Sequence, residues 1–204
     1  MIETLISFSI ATLVLAISPG PDNIYVLTQS LANGTKSGIA TTAGLISGCI
    51  VHTTLLAFGL SAILIASDEI FYGIKIIGAF YLLYLAYKVY KSDSDISISN
   101  NAPKKSYLQL FKTGVIMNLV NPKVMIFFLA FFPGFLWNGN GNIVVQFYVL
   151  GIIFMSVSFI AFSGIALLAG QISQILLQKR GIGNFLKWLQ IVVFIGIALF
   201  ILIF

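Results

Sequence analysis

Six stretches of this chain, roughly 4–31, 38–66, 70–90, 108–137, 143–170 and 184–203, match the ~20 apolar residues that a helix needs to cross a bilayer. They are continuously apolar rather than alternating, so they read as helices and not as barrel strands. Of the 204 residues 59% are hydrophobic and 8% charged, and the mean hydropathy is +1.04. A soluble domain carries about 25% charged residues, so this chain lacks the polar material to cover a soluble surface. The reading is an all-α integral membrane protein, a single transmembrane domain over 1–204 with six spans. The third and sixth runs are clean; the first and fourth are long and interrupted.

The net charge of +5 bears on orientation and not on nucleic acid, for which no partner role is expected. Met1-Ile2-Glu3 lacks the positive start of a signal peptide, so the first run is kept as a span. The first connection holds Lys36; the third holds Lys88, Lys91, Lys104, Lys105 and Lys112 around a polar linker at 92–106; the fifth holds Lys179, Arg180 and Lys187. The second is acidic, with Asp68 and Glu69, and the fourth, "NGNGN" at 138–142, is uncharged. Connections 1, 3 and 5 share one side of a six-span protein, and the positive-inside rule makes that side cytoplasmic, with both termini outside. Trp137 and Trp188 fall at helix ends, as interfacial anchors do.

The linker divides the chain into halves of opposite orientation, about 1–91 and 107–204. At an offset of 103, Pro19 falls on Pro122, Gly38 on Gly141 and Gly48 on Gly151. Each proline lies midway along the first run of its half. Interrupted helices at matching places in two inverted three-helix repeats point to a binding site near the membrane midplane.

The first interruption reads "AISPGPDNIYVL". Pro19 and Pro21 remove backbone donors, Gly20 lies between them, and Asp22 follows. An opened backbone in hydrocarbon must face protein or a water-filled cavity. The second reads "NLVNPKVMIFF", with Asn118, Asn121, Pro122 and Lys123 deep in the run, where lysine cannot snorkel to the surface. Asp22 and Lys123 admit two readings: a fixed ion pair joining the halves, or opposite charges facing one cavity that takes a zwitterion. The substrate-binding candidates are therefore Pro19, Gly20, Pro21, Asp22, Asn121, Pro122 and Lys123.

In the second run Gly44, Gly48 and His52 recur every fourth residue, on one helix face. The glycines are expected to admit a close helix neighbour, within the bundle or across a homodimer. His52, the chain's one histidine, either handles protons, since imidazole titrates near neutral pH, or packs neutral between helices. Asp22 and His52 are the proton-coupling candidates. Phe127, Phe128, Phe131 and Phe132 are expected against lipid and neighbouring helices. One cysteine, Cys49, excludes an internal disulfide and a cysteine metal cluster. No phosphate loop, catalytic triad or carboxylate–histidine metal cluster is legible, so neither an enzyme nor a cofactor nor a metal site is expected.

These elements, together with Gly59, "GAFYLLYLAYKVY" in the third run and "NLVNPKVMIFFLAFFPGF" in the fourth, resemble the lysine-exporter superfamily. The nearer resemblance is to its branch of homoserine, threonine and neutral amino-acid exporters, the LysE/RhtB translocators. It covers about residues 5–136. It implies export of amino acids or close derivatives across the bacterial inner membrane, driven by proton antiport with alternating access. One departure is Gly134, where such proteins commonly carry glutamine. An exporter of another small solute or cation, or a non-transport membrane subunit, is the alternative.

Overall fold

In the computed structural model, which describes residues 1–62, 67–92, 102–137, 142–178 and 181–203, the chain is helical throughout, with no strand among the described residues. Gly141, Lys179, Arg180 and most of the 92–106 linker and the "NGNGN" connection lie outside them. The helices are α1 (Ile2–Ile17), α2 (Pro21–Asn33), α3 (Thr35–Leu55, with a π-helical extension Leu56–Leu60) and α4 (Asp68–Lys91). There follow α5 (Tyr107–Val120), α6 (Pro122–Phe131, with a 3-10 turn Phe132–Phe135), α7 (Ile143–Leu167), α8 (Ala169–Gln178) and α9 (Gly181–Ile203).

Four of these, α3, α4, α7 and α9, are long and apolar enough to span a membrane unbroken. The other long runs are bent pairs: α1 meets α2 at 61°, and α5 meets α6 at 55°. Counting each pair as one gives six spans in an integral membrane protein, with the interruptions in the first and fourth. Side-chain chemistry sets the starts. Ser106 and Gln109 form a reciprocal capping box on α5, Ser67 caps α4 and Asn142 caps α7.

The break positions refine the comparison of the halves. The offset of 103 pairs Pro19 with Pro122, but the residue that opens α2 as Pro122 opens α6 is Pro21. Both occupy the first helical turn, where the missing N–H is an orphan anyway. Pro19 sits in the break itself. Gly20 is extended, at φ −168°, a conformation open to any residue, so backbone freedom is not its role.

The α1–α7, α3–α5, α3–α7 and α4–α9 pairs form the body of the bundle. Lipid offers apolar side chains what a protein core does, so close packing holds these pairs together rather than escape from water. Small residues provide it. A Cβ on Gly44 would run into the carbonyl of Phe111, and one on Gly114 into the carbonyl of Thr41, so α3 and α5 touch backbone to backbone. A Cβ on Gly48 would lie 2.6 Å from Asn118 Oδ1. Both Gly44 and Gly48 are thus occupied by α5 of the same chain.

The end of the bundle that carries Met1 and Ile203 is filled by aromatic rings. Phe8 meets Phe132 at 5.0 Å and Phe135 at 5.1 Å, Phe128 stacks on Phe132 at 4.2 Å, and Phe135 stacks on Phe200 at 5.0 Å. Phe127, Phe128, Phe131 and Phe132 are buried in this cluster and do not face lipid. At the opposite end Asn33 reaches the carbonyls of Ala102 and Pro103, and Lys187 Nζ donates to the Ser92 carbonyl at 2.7 Å. That end gathers Lys36, Lys88, Lys91, Lys104, Lys105 and Lys112 with Lys187.

Forcing side chain into the α3–α5 seam should separate the helices. Gly44→Val is expected to cost ~1–3 kcal/mol as overpacking, roughly 3–10 °C of melting temperature for a chain this long. Gly73→Ala, whose added Cβ meets nothing within 4 Å, should leave it unchanged; the check is thermal unfolding in detergent.

Candidate functional site

At the first break, the last turn of α1 closes with the Ser18 N–H on the Val14 carbonyl at 3.0 Å. Pro19 and Pro21 cannot donate, so carbonyls of that turn lose their partners. The Ala16 carbonyl, left without its helical donor because Gly20 is extended, is matched by a side chain: Asn23 Nδ2 donates to it at 2.7 Å. Asp22 then lies in the first turn of α2, where the positive end of the helix favours a carboxylate.

At the second break α5 stops at Val120, and Asn121 caps α6 by accepting the Lys123 N–H on Oδ1 at 3.0 Å. The same side chain donates through Nδ2 to Asp22 Oδ2 at 2.9 Å. One amide therefore ties the two breaks together across 99 residues of sequence. Lys123 sits in the first turn of α6, the wrong end of a helix dipole for a cation. Its compensation is the Asp22 carboxylate, which lines the same cavity, and the Phe194 ring face 5.2 Å from Nζ. No direct Asp22–Lys123 ion pair is present among the described residues.

Between the breaks lies a cavity of about 40 Å³, walled by Gly20, Pro21, Asp22 and Asn23 from α2 and its cap, and by Asn118, Asn121, Lys123 and Val124 from α5 and α6. Ile46 and Cys49 of α3, and Phe154, Ser158 and Phe162 of α7, close it. At ~10–15 Å³ for each water this space holds a few small groups. Anything larger would need its walls to move apart.

Of the residues singled out from sequence, Gly20, Pro21, Asp22, Asn121 and Lys123 share this wall. Pro19 instead lines a neighbouring apolar groove with Ile17, Ile24, Leu27, Ile165, Ile172 and Leu186, and Pro122 is exposed outside the wall. Those two shape the backbone without facing the cavity. His52 is buried behind the wall. Its Nε2 lies 3.3 Å from the Asn118 carbonyl, to which it donates as the Nε2–H tautomer, and its ring is 5.4 Å from Phe128. The Asn118 side chain donates through Nδ2 to Cys49 Sγ at 3.4 Å.

Sequence reasoning passed over Cys49, Phe154, Ser158 and Phe162. A signal existed for three of them: Phe154, Ser158 and Phe162 recur every fourth residue, a one-sided stripe with a hydroxyl between two rings. Among the described residues no group of three His, Cys, Asp or Glu could hold a metal ion.

Residues 13–204 match the family described as LysE type translocator. The homoserine/homoserine lactone efflux protein of Salmonella typhimurium is 30% identical over 167 residues, 82% of this chain and 81% of that protein. The protein of the same description from Salmonella typhi has the same identity and coverage. An uncharacterized membrane protein of Vibrio cholerae is 28% identical over 173 residues, 85% of this chain and 84% of that protein. No solved structure gives a significant match.

Asn121 can be tested apart from the charges it joins. Asn121→Ala removes the α6 cap, worth ~1 kcal/mol, and should lower the melting temperature by roughly 2–4 °C. Asn121→Asp keeps a capping oxygen but sets a second carboxylate against Asp22. Its initial transport rate in vesicles should fall by about tenfold or more, the ~1.4 kcal/mol scale of one lost charged hydrogen bond.

Proposed function

The chain belongs to the LysE type translocator family, and on that premise we propose that it is a secondary active exporter of amino acids or close derivatives, working by alternating access and coupled to proton entry. The observation that carries this reading is the pair Asp22 and Lys123, which line one cavity from two helix breaks without forming a direct ion pair among the described residues. A zwitterion brings one ammonium and one carboxylate. It matches a site with one anion, one cation and two helix N-termini.

The relatives' printed cargoes sharpen the match. Homoserine and its lactone share an amino group, while the lactone has lost the carboxylate charge. Carried to this chain, that pairing favours recognition centred on the ammonium end.

Two inverted halves, 1–91 and 107–204, are the arrangement proposed for the bundle. The support is that α3 packs on α5 as α7 packs on α1, while the second spans pair with each other and the third spans likewise. This is the pattern a twofold axis in the membrane plane produces. The lysine-rich end is assigned to the bacterial cytoplasm and both termini to the outside. Proton coupling is energetically sufficient: one charge through about 150 mV yields roughly 3.5 kcal/mol, enough for a few-hundredfold gradient of a neutral solute. Asp22 is the proton carrier this reading favours, because it faces the cavity while His52 stands behind the wall.

The test is counterflow in proteoliposomes against a panel including L-homoserine, homoserine lactone, L-threonine and L-lysine, with and without an imposed pH gradient. Uptake of at least one amino acid, accelerated by the gradient, is expected. Asp22→Asn and Lys123→Ala should abolish it while inserting normally into the membrane. Wild-type rates in both variants would refute the site.

A further inference from the structure

α2 is a helix of 13 residues with a natural bending point at each end. Before it the helix is broken at Ser18–Gly20. After it Gly34 turns the chain into α3 at φ 84°, in the left-handed region that favours glycine. Hinges are a few such residues at the ends of rigid elements. The segment between them carries Asp22, the anion of the cavity.

Asp22, Gln29 and Asn33 are separated by seven and four residues, so at about 3.6 residues per turn they share one face of α2. That face runs from the cavity to the lysine-rich end. Val26 stands beside it, one turn past Asp22, and packs with Leu45, Phe162 and Ala166 in a small apolar layer. Phe162 belongs to the cavity wall as well. Beyond the layer come Gln29, Ser30, Ser37 and Thr41, all at most 6% exposed. Apolar side chains would fill this space in a hairpin that only had to pack, as rings fill the opposite end of the bundle. Polar groups kept inside a membrane protein mark the paths of polar solutes.

The bonds in this polar strip hold α2 loosely. Ser30 donates to the Val26 carbonyl, Ser37 to the Asn33 carbonyl and Thr41 to the Ser37 carbonyl. All three stay within the α2–α3 hairpin. The Asn33 side chain goes further. Its Nδ2 donates to Gln29 Oε1 at 3.0 Å and reaches the Ala102 and Pro103 carbonyls at 3.5 Å, on the segment leading into α5. At that length a hydrogen bond is near its limit and is easily given up.

We infer that α2 is the gate of the cavity on the lysine-rich side and that Asn33 is its latch. With Asn33 engaged, Val26 covers the cavity. With Asn33 released, α2 moves as a unit between its two hinges and Val26 draws away from Leu45 and Phe162. The cavity then joins the wettable strip of Gln29, Ser30, Ser37 and Thr41. This rests on the reading of the cavity as the cargo site and adds the route by which cargo reaches it. Asn33 acts as a positioning residue, at a distance from the cargo.

The test reads sidedness and needs no cargo. Cys49 lines the cavity and is 1% exposed, so its alkylation by a charged, membrane-impermeant maleimide reports opening. Inside-out vesicles present the cytoplasmic face, and spheroplasts the outer one. Asn33→Ala should raise the alkylation rate about fivefold in inside-out vesicles, the scale of one ordinary hydrogen bond, and leave the rate in spheroplasts unchanged. Asn33→Asp, which keeps the shape and loses the Nδ2 donor, should do the same. In Gln29→Cys made on Cys49→Ala, the introduced thiol should react in inside-out vesicles and not in spheroplasts.

Wild-type rates in both Asn33 variants would overturn the inference. So would a rise from both sides, which is what general loosening of the fold gives. A one-sided rise in a protein that fails in counterflow would instead count against export and leave the gate standing.

Discussion

A backbone opened halfway across a bilayer has no water to turn to, so every group it frees must be matched inside the protein. Asn23 meets that demand at the first break, on the Ala16 carbonyl, and Asn121 at the second, while also joining the two breaks. The Asn121 oxygen closes the start of α6 on the Lys123 N–H, and its nitrogen holds the Asp22 carboxylate at the start of α2. Remove this amide, and α6 loses its cap while a buried carboxylate loses the one side-chain donor it has among the described residues. The cavity exists because two helix starts face each other, and they are held facing each other through one residue.

The rest of the bundle is graded around that point. Toward the termini, Phe8 and the rings of Phe127, Phe128, Phe131, Phe132 and Phe135 form a thick apolar seal. Toward the lysine-rich end the buried apolar set is smaller, Val26, Leu45, Phe162 and Ala166, and the helices close through Gly38, Gly44 and Gly114. Phe162 belongs to this second set and to the cavity wall at once. The structure therefore has little buried apolar side-chain volume between its cavity and the lysine-rich end, and much more on the other side. An exporter loading from the cytoplasm would open that thinner side first.

Much of this architecture was legible in the residues. Continuous apolar runs announced the spans, and the described lysines of connections 1, 3 and 5, Lys36, Lys88, Lys91, Lys104, Lys105, Lys112 and Lys187, collect at one end of the bundle. The prolines at 19, 21 and 122 announced both interruptions, because a missing N–H is a local fact that no tertiary contact restores. What sequence could not show was direction. Pro19 and Pro122 have the same chemistry as Pro21, yet neither lines the cavity, since which way a residue faces depends on where the helix restarts. The offset of 103 was drawn to the wrong proline for the same reason. His52 shares a face with Gly44 and Gly48, and that face turns toward α5, so the imidazole lies against the Asn118 backbone behind the wall. Four phenylalanines expected partly against lipid are enclosed, because ring–ring contact between α1, α6 and α9 fills that end. Ser158 was overlooked because one hydroxyl in an apolar helix is unremarkable until the fold sets it in the cavity wall.

The central claim is that cargo occupies the space between the two breaks, and the chain carries its own probe for it. Cys49, the only cysteine, lies in the cavity wall and is 1% exposed, so a small maleimide can reach it only when the site opens. The rate of Cys49 alkylation in membrane vesicles should fall several-fold when the exported amino acid is present at saturating concentration, and this protection should vanish in Asp22→Asn. Alkylation that proceeds at the same rate with and without a cargo the protein demonstrably moves would contradict the account.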